Sequence, residues 1–238
     1  MKIDIENTGS VELGSPQGKL VKVNGFWLEQ SRVPQGEAIP AGGSAGTEIR
    51  LYKSDLEAIG VGSVDDIERV DFNFFAYPKG SKISSMECSV YPSGLEGSYV
   101  QKERAAMPGD VLIGETEHVK LTAYWREGTD FAGSFSDDEL RWPVLIIENP
   151  SGNDYVYQYE NLAINGAAFP TSTYSAMTVK AGGAVVIPFS TGIEYELEDK
   201  GIKKAEKVAF DLAVRKAVEP FDYIGVYQCS MDSSDLHN

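Results

Sequence analysis

The chain has 238 residues, 42% of them hydrophobic and 24% charged, a globular balance that excludes a disordered or fibrous protein. Its 21 basic against 36 acidic residues leave a formal charge of −15, a field that repels phosphate backbones and anionic membranes and so excludes nucleic acid as a partner. No window approaches the ~18 uninterrupted apolar residues of a membrane helix, and Met1-Lys2-Ile3-Asp4-Ile5-Glu6 is no signal peptide, so this chain is not expected to insert into a membrane itself.

A strand over residues 2–7 opens the chain, and Asn7-Thr8-Gly9-Ser10 reads as a turn. A second strand is predicted over 19–29 with Val21, Val23 and Phe26 inward; the close apolar flanks make its Asn24-Gly25 read as a bulge or tight bend rather than a hairpin turn. Residues 30–46 read as a polar loop, and Glu48–Tyr52 alternates as a strand. Ser54-Asp55-Leu56-Glu57 fits a capping box, and Gly60 is placed to end that helix in a left-handed conformation. Val70, Phe72, Phe74 and Ala76 line one face of a core strand. In the next, over 84–91, Met86, Cys88 and Val90 share an apolar face. Residues 92–110 read as a loop and the domain boundary. After it, Val119, Leu121 and Ala123 alternate along one side of a strand, and Val208, Phe210, Leu212 and Val214 form a second core strand.

The later elements repeat the earlier ones. Ile5-Glu6-Asn7, Val23-Asn24-Gly25, Ala41-Gly42-Gly43 and Leu56-Glu57 return as Ile147-Glu148-Asn149, Ile164-Asn165-Gly166, Ala181-Gly182-Gly183 and Leu197-Glu198, at an offset of about 140 residues. Cys88-Ser89 returns as Cys229-Ser230, one cysteine per repeat, which rules out a disulfide within either. Regular short strands, few helices and frequent turns point to an all-β chain of two tandem antiparallel β-sandwich (immunoglobulin-like) domains, 1–105 and 106–238, each with a short helical crossover. The strand at 119–124 precedes the second Ile-Glu-Asn and has no counterpart before the first. The first repeat is therefore expected to lack its opening strand and to leave an edge near residues 2–7, unless residues 111–125 belong to it.

The order Ile-Glu-Asn, Asn-Gly-Phe, Pro-Ala-Gly-Gly, Ser-Asp-Leu-Glu-Ala-Ile-Gly and Val-Asp-Asp-Ile-Glu-Arg-Val-Asp-Phe resembles a repeat, a domain of unknown function, in exported or lipid-anchored proteins of Gram-positive gut anaerobes. The likeness covers most of residues 1–91 and 111–231. It implies a tandem sandwich fold and an extracellular or cell-surface location, with the signal or lipoprotein anchor outside this chain, and it carries no activity.

Catalytic chemistry has little to work with. His237 is penultimate, His118 starts a strand on its polar face, and no nucleophile elbow, zinc spacing, Walker motif or dinucleotide fingerprint is present, so an enzyme is not expected. Both cysteines read as small buried hydrophobes. Hard cations need several carboxylates, and Asp130, Asp137, Asp138 and Glu139 cluster in one connection as a candidate Ca²⁺ site; Asp65, Asp66 and Glu68 form a second acidic cluster. Exposed aromatics stack on sugars, which makes Trp27, Trp125, Tyr155 and Tyr157 candidate ligand-binding residues. The expected function is a secreted or cell-surface interaction module that holds a protein or glycan. The alternative is a passive spacer with no ligand of its own.

Overall fold

Strand content follows from runs of β-branched and aromatic residues at period two. The computed structural model describes every residue except 29–35, 79–83, 93, 95–96, 101–102, 128–140, 170–175, 189–193 and 235–238; some further side chains, Trp125 among them, lie outside the description. The described residues form fifteen strands and two short α-helices, an all-β chain. They divide into two units, Met1–Arg104 and Ala105–Asn238.

In the first unit β1 (Lys2–Glu6) pairs antiparallel with β4 (Ser44–Glu48), Glu6 lying opposite Ser44. This strand replaces the one expected at 48–52. Ser-Ala-Gly-Thr is a weak strand former, and pairing with β1 rather than propensity makes it extended. Strands β2 (Leu13–Val23), β3 (Phe26–Leu28), β5 (Val70–Pro78) and β6 (Ser84–Val90) lie in the order β6-β5-β2-β3. Their inner face buries Val21, Val23, Phe26, Leu28, Val70, Phe72 and Phe74.

Asn24-Gly25 is a two-residue hairpin turn and not a bulge. Val23 faces Phe26, and the turn residues have φ of +50° and +86°. That geometry matches the twist of the flanking strands, and the close apolar flanks are simply the ends of two strands. The helix α1 (Lys53–Ala58) has Tyr52 at its N-cap, so Ser54 lies inside it and not at the cap position expected of it. A capping box forms instead on the 3₁₀ turn Val64–Asp66, where Asp66 Oδ2 accepts from the Ser63 N–H at 2.8 Å. The helix end is as expected: Gly60 has φ +80°, its N–H bonds the Glu57 carbonyl, and the Val61 N–H bonds that of Leu56. Arg104 is buried and donates from Nε to the Ala58 carbonyl at 2.6 Å, satisfying another helix-end acceptor.

The second unit contains β7 (Asp110–Glu115), β8 (Lys120–Glu127), β9 (Arg141–Glu148), β10 (Tyr155–Ile164), β11 (Ala167–Ala168), β12 (Ala176–Val179), β13 (Ala184–Pro188), β14 (Lys207–Lys216) and β15 (Tyr223–Asp232), with helix α2 (Glu194–Asp199) between β13 and β14. One set runs β13-β9-β8-β7. The other runs β11-β10-β14-β15, with β12 also paired to β10. Val208, Phe210, Leu212 and Val214 are buried along β14, as are Val119, Leu121 and Ala123 in and before β8. Along β9 the four successive residues Val144 to Ile147 are all buried, so this strand hides both faces.

The repeated sequence marks are repeated bonds. Asn24 accepts at Oδ1 from the Glu68 and Arg69 N–H groups (2.9 and 3.1 Å) and donates from Nδ2 to the Asp66 carbonyl (2.9 Å). Asn165 does the same with Glu206, Lys207 and Lys204 at 2.8, 3.0 and 2.9 Å. Asn7 N–H bonds the Gly43 carbonyl and Asn149 N–H that of Gly183, each at 2.9 Å. Gly201, with φ +66°, closes α2 as Gly60 closes α1.

Candidate interaction face

Side chains alternate across a strand, so the residues between the buried ones of β2, β3, β5 and β6 share the outer face. Lys22 lies opposite Trp27 on one side and opposite Asp71 on the other, and Asp71 lies opposite Ser89. A single cross-strand row therefore reads Trp27, Lys22, Asp71, Ser89. Arg69 closes it. Its Nε donates to Asp71 Oδ1 at 2.7 Å, and Ser89 Oγ donates to the same oxygen at 2.5 Å. The Arg69 guanidinium also lies 5.7 and 5.3 Å from the ring centroids of Tyr91 and Tyr99, within cation–π range. Desolvation pulls the guanidinium pKa down, but the bond to Asp71 and its charge outweigh it and raise the value. Burial raises the Tyr99 hydroxyl.

Beside this row Asn73 lies opposite Glu87, and these two line an open groove of about 170 Å³ with Lys22, Asp71 and Ser89 of the row and with Arg69 and Cys88. Pockets that enclose small molecules run to ~300–1,000 Å³. This groove therefore has room for no more than a single side chain or sugar ring. Asn73 Oδ1 and Trp27 Nε1 are buried and without hydrogen-bond partners among the described residues.

The second unit supplies an internal comparison. Its equivalent row, read through the same register, is Ala168, Ala163, Ala209, Ser230. The scaffold positions are shared; the aromatic and charged side chains belong to the first unit alone.

Of the candidate aromatic residues, Trp27 is half-buried in this row. Tyr155 and Tyr157 are 4% and 0% exposed and belong to the core of the second unit, so neither offers a ring face to a sugar. Their face of β10 is the inner one: Tyr157 Oη donates to the His118 carbonyl at 2.5 Å, and Tyr155 Oη lies 3.2 Å from His118 Nδ1. His118 is thus locally bonded, with Nε2 3.4 Å from Glu117 Oε1. Trp125 lies in β8 opposite Pro143, and its side chain is outside the described set. Asp130, Asp137, Asp138 and Glu139 lie outside the described residues. In the second acidic cluster Asp66 is occupied as a cap, and among the described residues no group of three or more His, Cys, Asp or Glu gathers as for a metal.

Both cysteines are free; Cys229 is buried. The apolar face expected around Cys88 is only half formed, because Met86 is 58% exposed. Among the described residues β6 is an edge strand, paired with β5 alone.

Sequence reading marked Ser89 only as part of the repeat and did not single out Lys22, Arg69, Asp71, Tyr91 or Tyr99. A signal existed: Arg69-Val70-Asp71 in the first repeat stands where the second has Lys207-Val208-Ala209, a charge lost at one outward position of an otherwise shared strand.

No family model matches the chain, and no curated protein matches it. Two solved structures are similar at low identity. One is a Ca²⁺-stabilised adhesin with which an Antarctic bacterium reaches out and binds ice, at 13% identity and a TM-score of 0.22 over 97% of this chain and 42% of that one. The other concerns host cell surface retention of a 1.5-MDa bacterial ice-binding adhesin, at 10% identity and a TM-score of 0.21 over 97% of this chain and 56% of that one. At such TM-scores the likeness carries no assignment.

Proposed function

We propose that the chain is a non-enzymatic interaction module of the cell surface or extracellular space, whose two units are tandem immunoglobulin-like sandwiches and whose first unit docks a protein or glycan on its outer face. The observation that carries this reading is the Trp27-Lys22-Asp71-Ser89 row, set on a scaffold whose second copy has alanine at three of the four places. Folding alone does not require the difference, since the second unit builds the same hairpin and ladder without it. Tryptophan and an arginine flanked by tyrosines are also the side chain types enriched where binding energy concentrates.

The test is an array of glycans, cell-wall fragments and surface proteins probed with the intact chain, with Ca²⁺ and again with chelator. A hit that Trp27→Ala and Asp71→Ala abolish, and chelator does not, supports docking on this face. A hit that chelator abolishes moves the site to the connection carrying Asp130, Asp137, Asp138 and Glu139. Silence in every arm favours the passive spacer.

A further inference from the structure

The edge of β1 is the feature that the repeat comparison illuminates most. Glu6 lies opposite Ser44 as Glu148 lies opposite Ala184, and each is followed by the asparagine that bonds a glycine carbonyl, so β1 is the counterpart of β9. β9 pairs on both sides, with β13 and with β8; among the described residues β1 pairs with β4 alone. Met1 and Asn7 spend their backbone groups on residues flanking β4: Met1 exchanges both bonds with Ile49, and Asn7 donates to the Gly43 carbonyl and accepts from the Gly42 N–H. By the antiparallel alternation Ile3 and Ile5 do likewise, and the N–H and C=O groups of Lys2, Asp4 and Glu6 face outward.

The second unit shows what chemistry fits there. β8 places Lys120 opposite Glu148, Leu121 opposite Ile147, Thr122 opposite Ile146 and Ala123 opposite Leu145, with Lys120 Nζ 3.1 Å from Glu148 Oε2. The edge of β1 therefore calls for a strand reading cation, apolar, polar, apolar, with the cation opposite Glu6. β1 itself has that reading: Lys2-Ile3-Asp4-Ile5 matches Lys120-Leu121-Thr122-Ala123 position by position.

We infer that the β1 edge pairs antiparallel with the β1 edge of a second copy of this chain, about a two-fold axis at Asp4. In that register Lys2 of the second copy faces Glu6, as Lys120 faces Glu148, and its Ile3 faces Ile5. The symmetry doubles both contacts. One mismatch is built in: Asp4 faces Asp4 of the second copy where β8 has a threonine. Five residues a side make a small interface, so the association is weak and concentration-dependent.

Sedimentation velocity of the intact chain, up to about 1 mM, tests this. The wild type dimerises with rising concentration. Lys2→Glu sets two like-charge pairs across the edge and weakens dimerisation about tenfold. Lys2→Glu with Glu6→Lys re-forms both pairs with the signs exchanged and restores it. Asp4→Asn removes the central repulsion and tightens it. Circular dichroism and urea midpoints verify that each variant is folded. A chain that stays monomeric throughout, or a dimer indifferent to Lys2→Glu, overturns the inference. So does saturable binding of a synthetic peptide of residues 120–127 by a chain that does not self-associate, which would assign the edge to a strand supplied by a different molecule.

Discussion

Asn7 and Asn149 hold the same clamp in the two units. Asn7 Nδ2 lies 2.9 Å from the Val11 carbonyl oxygen and 3.0 Å from those of Ile39 and Pro40, while Oδ1 accepts the Gly9 N–H at 3.0 Å. Asn149 Nδ2 lies 2.8, 3.1 and 3.2 Å from the carbonyls of Asn153, Val179 and Lys180, and its Oδ1 accepts from Ser151. Both side chains are buried, at 3% and 1% exposure. A buried carbonyl without a donor is costly, and one amide here serves three of them.

Asn149→Ala is therefore expected to cost about 3 kcal/mol in urea unfolding, well above an average surface change. Asn149→Asp should cost no less, because a carboxylate has no hydrogen to offer the three carbonyls and repels them. Recovery of stability by aspartate would refute the clamp.

Asn24 separates backbone strain from bonding. Its φ of +50° is left-handed, and its side chain makes three bonds. Asn24→Gly keeps the turn and loses the bonds, and should cost about 1–2 kcal/mol. Asn24→Ala loses both and should cost roughly 1 kcal/mol more. Equal costs for the two would place the whole effect in the side chain.

Alkaline pH should weaken the second unit. Burial first, and the charge of Asp211 second, push the Cys229 thiol from 9.0 to about 11. Between those values the folded state keeps a proton that the unfolded chain has released, so stability falls as pH rises from 9.0 toward about 11. Burial raises the Tyr157 hydroxyl too, which acts in the same direction. Urea midpoints from pH 8 to 11 measure the slope, and Cys229→Ala should reduce it.

The two thiols should also differ in reactivity. Cys88 is half-exposed on an edge strand and Cys229 is 8% exposed. Iodoacetamide at neutral pH, followed by peptide mass spectrometry, should label Cys88 first and reach Cys229 only as the second unit unfolds. Equal labelling in native buffer would contradict the burial of Cys229.

The Arg69–Asp71 pair is partly buried and tied to Ser89, so Asp71→Ala should cost only about 1 kcal/mol in stability. A far larger loss would make the outer row a folding element rather than a surface for docking.

Period-two patterning made the core strands legible, because Val70, Phe72, Phe74, Val208, Phe210, Leu212 and Val214 have only one face on which to agree. The repeat showed that Asn7, Asn24, Gly60 and their counterparts matter, but not how. Gly60 closes its helix locally, but each asparagine also reaches a partner 30 to 44 residues away, as in Asn24 with Glu68 or Asn165 with Glu206, and no local window contains both ends of such a bond. The same limit hid β4, a strand of poor propensity held by β1.

The chain by itself determined an all-β protein with a doubled plan, because alternation and repetition are properties of residue order. Tertiary structure alone decided which aromatic residues lie in the core and which on the outer face. Tyr155 and Tyr157 alternate as an exposed face would, yet they point to the core. Trp27, Lys22, Asp71 and Ser89 come from four strands and become one row only when the ladder sets their register.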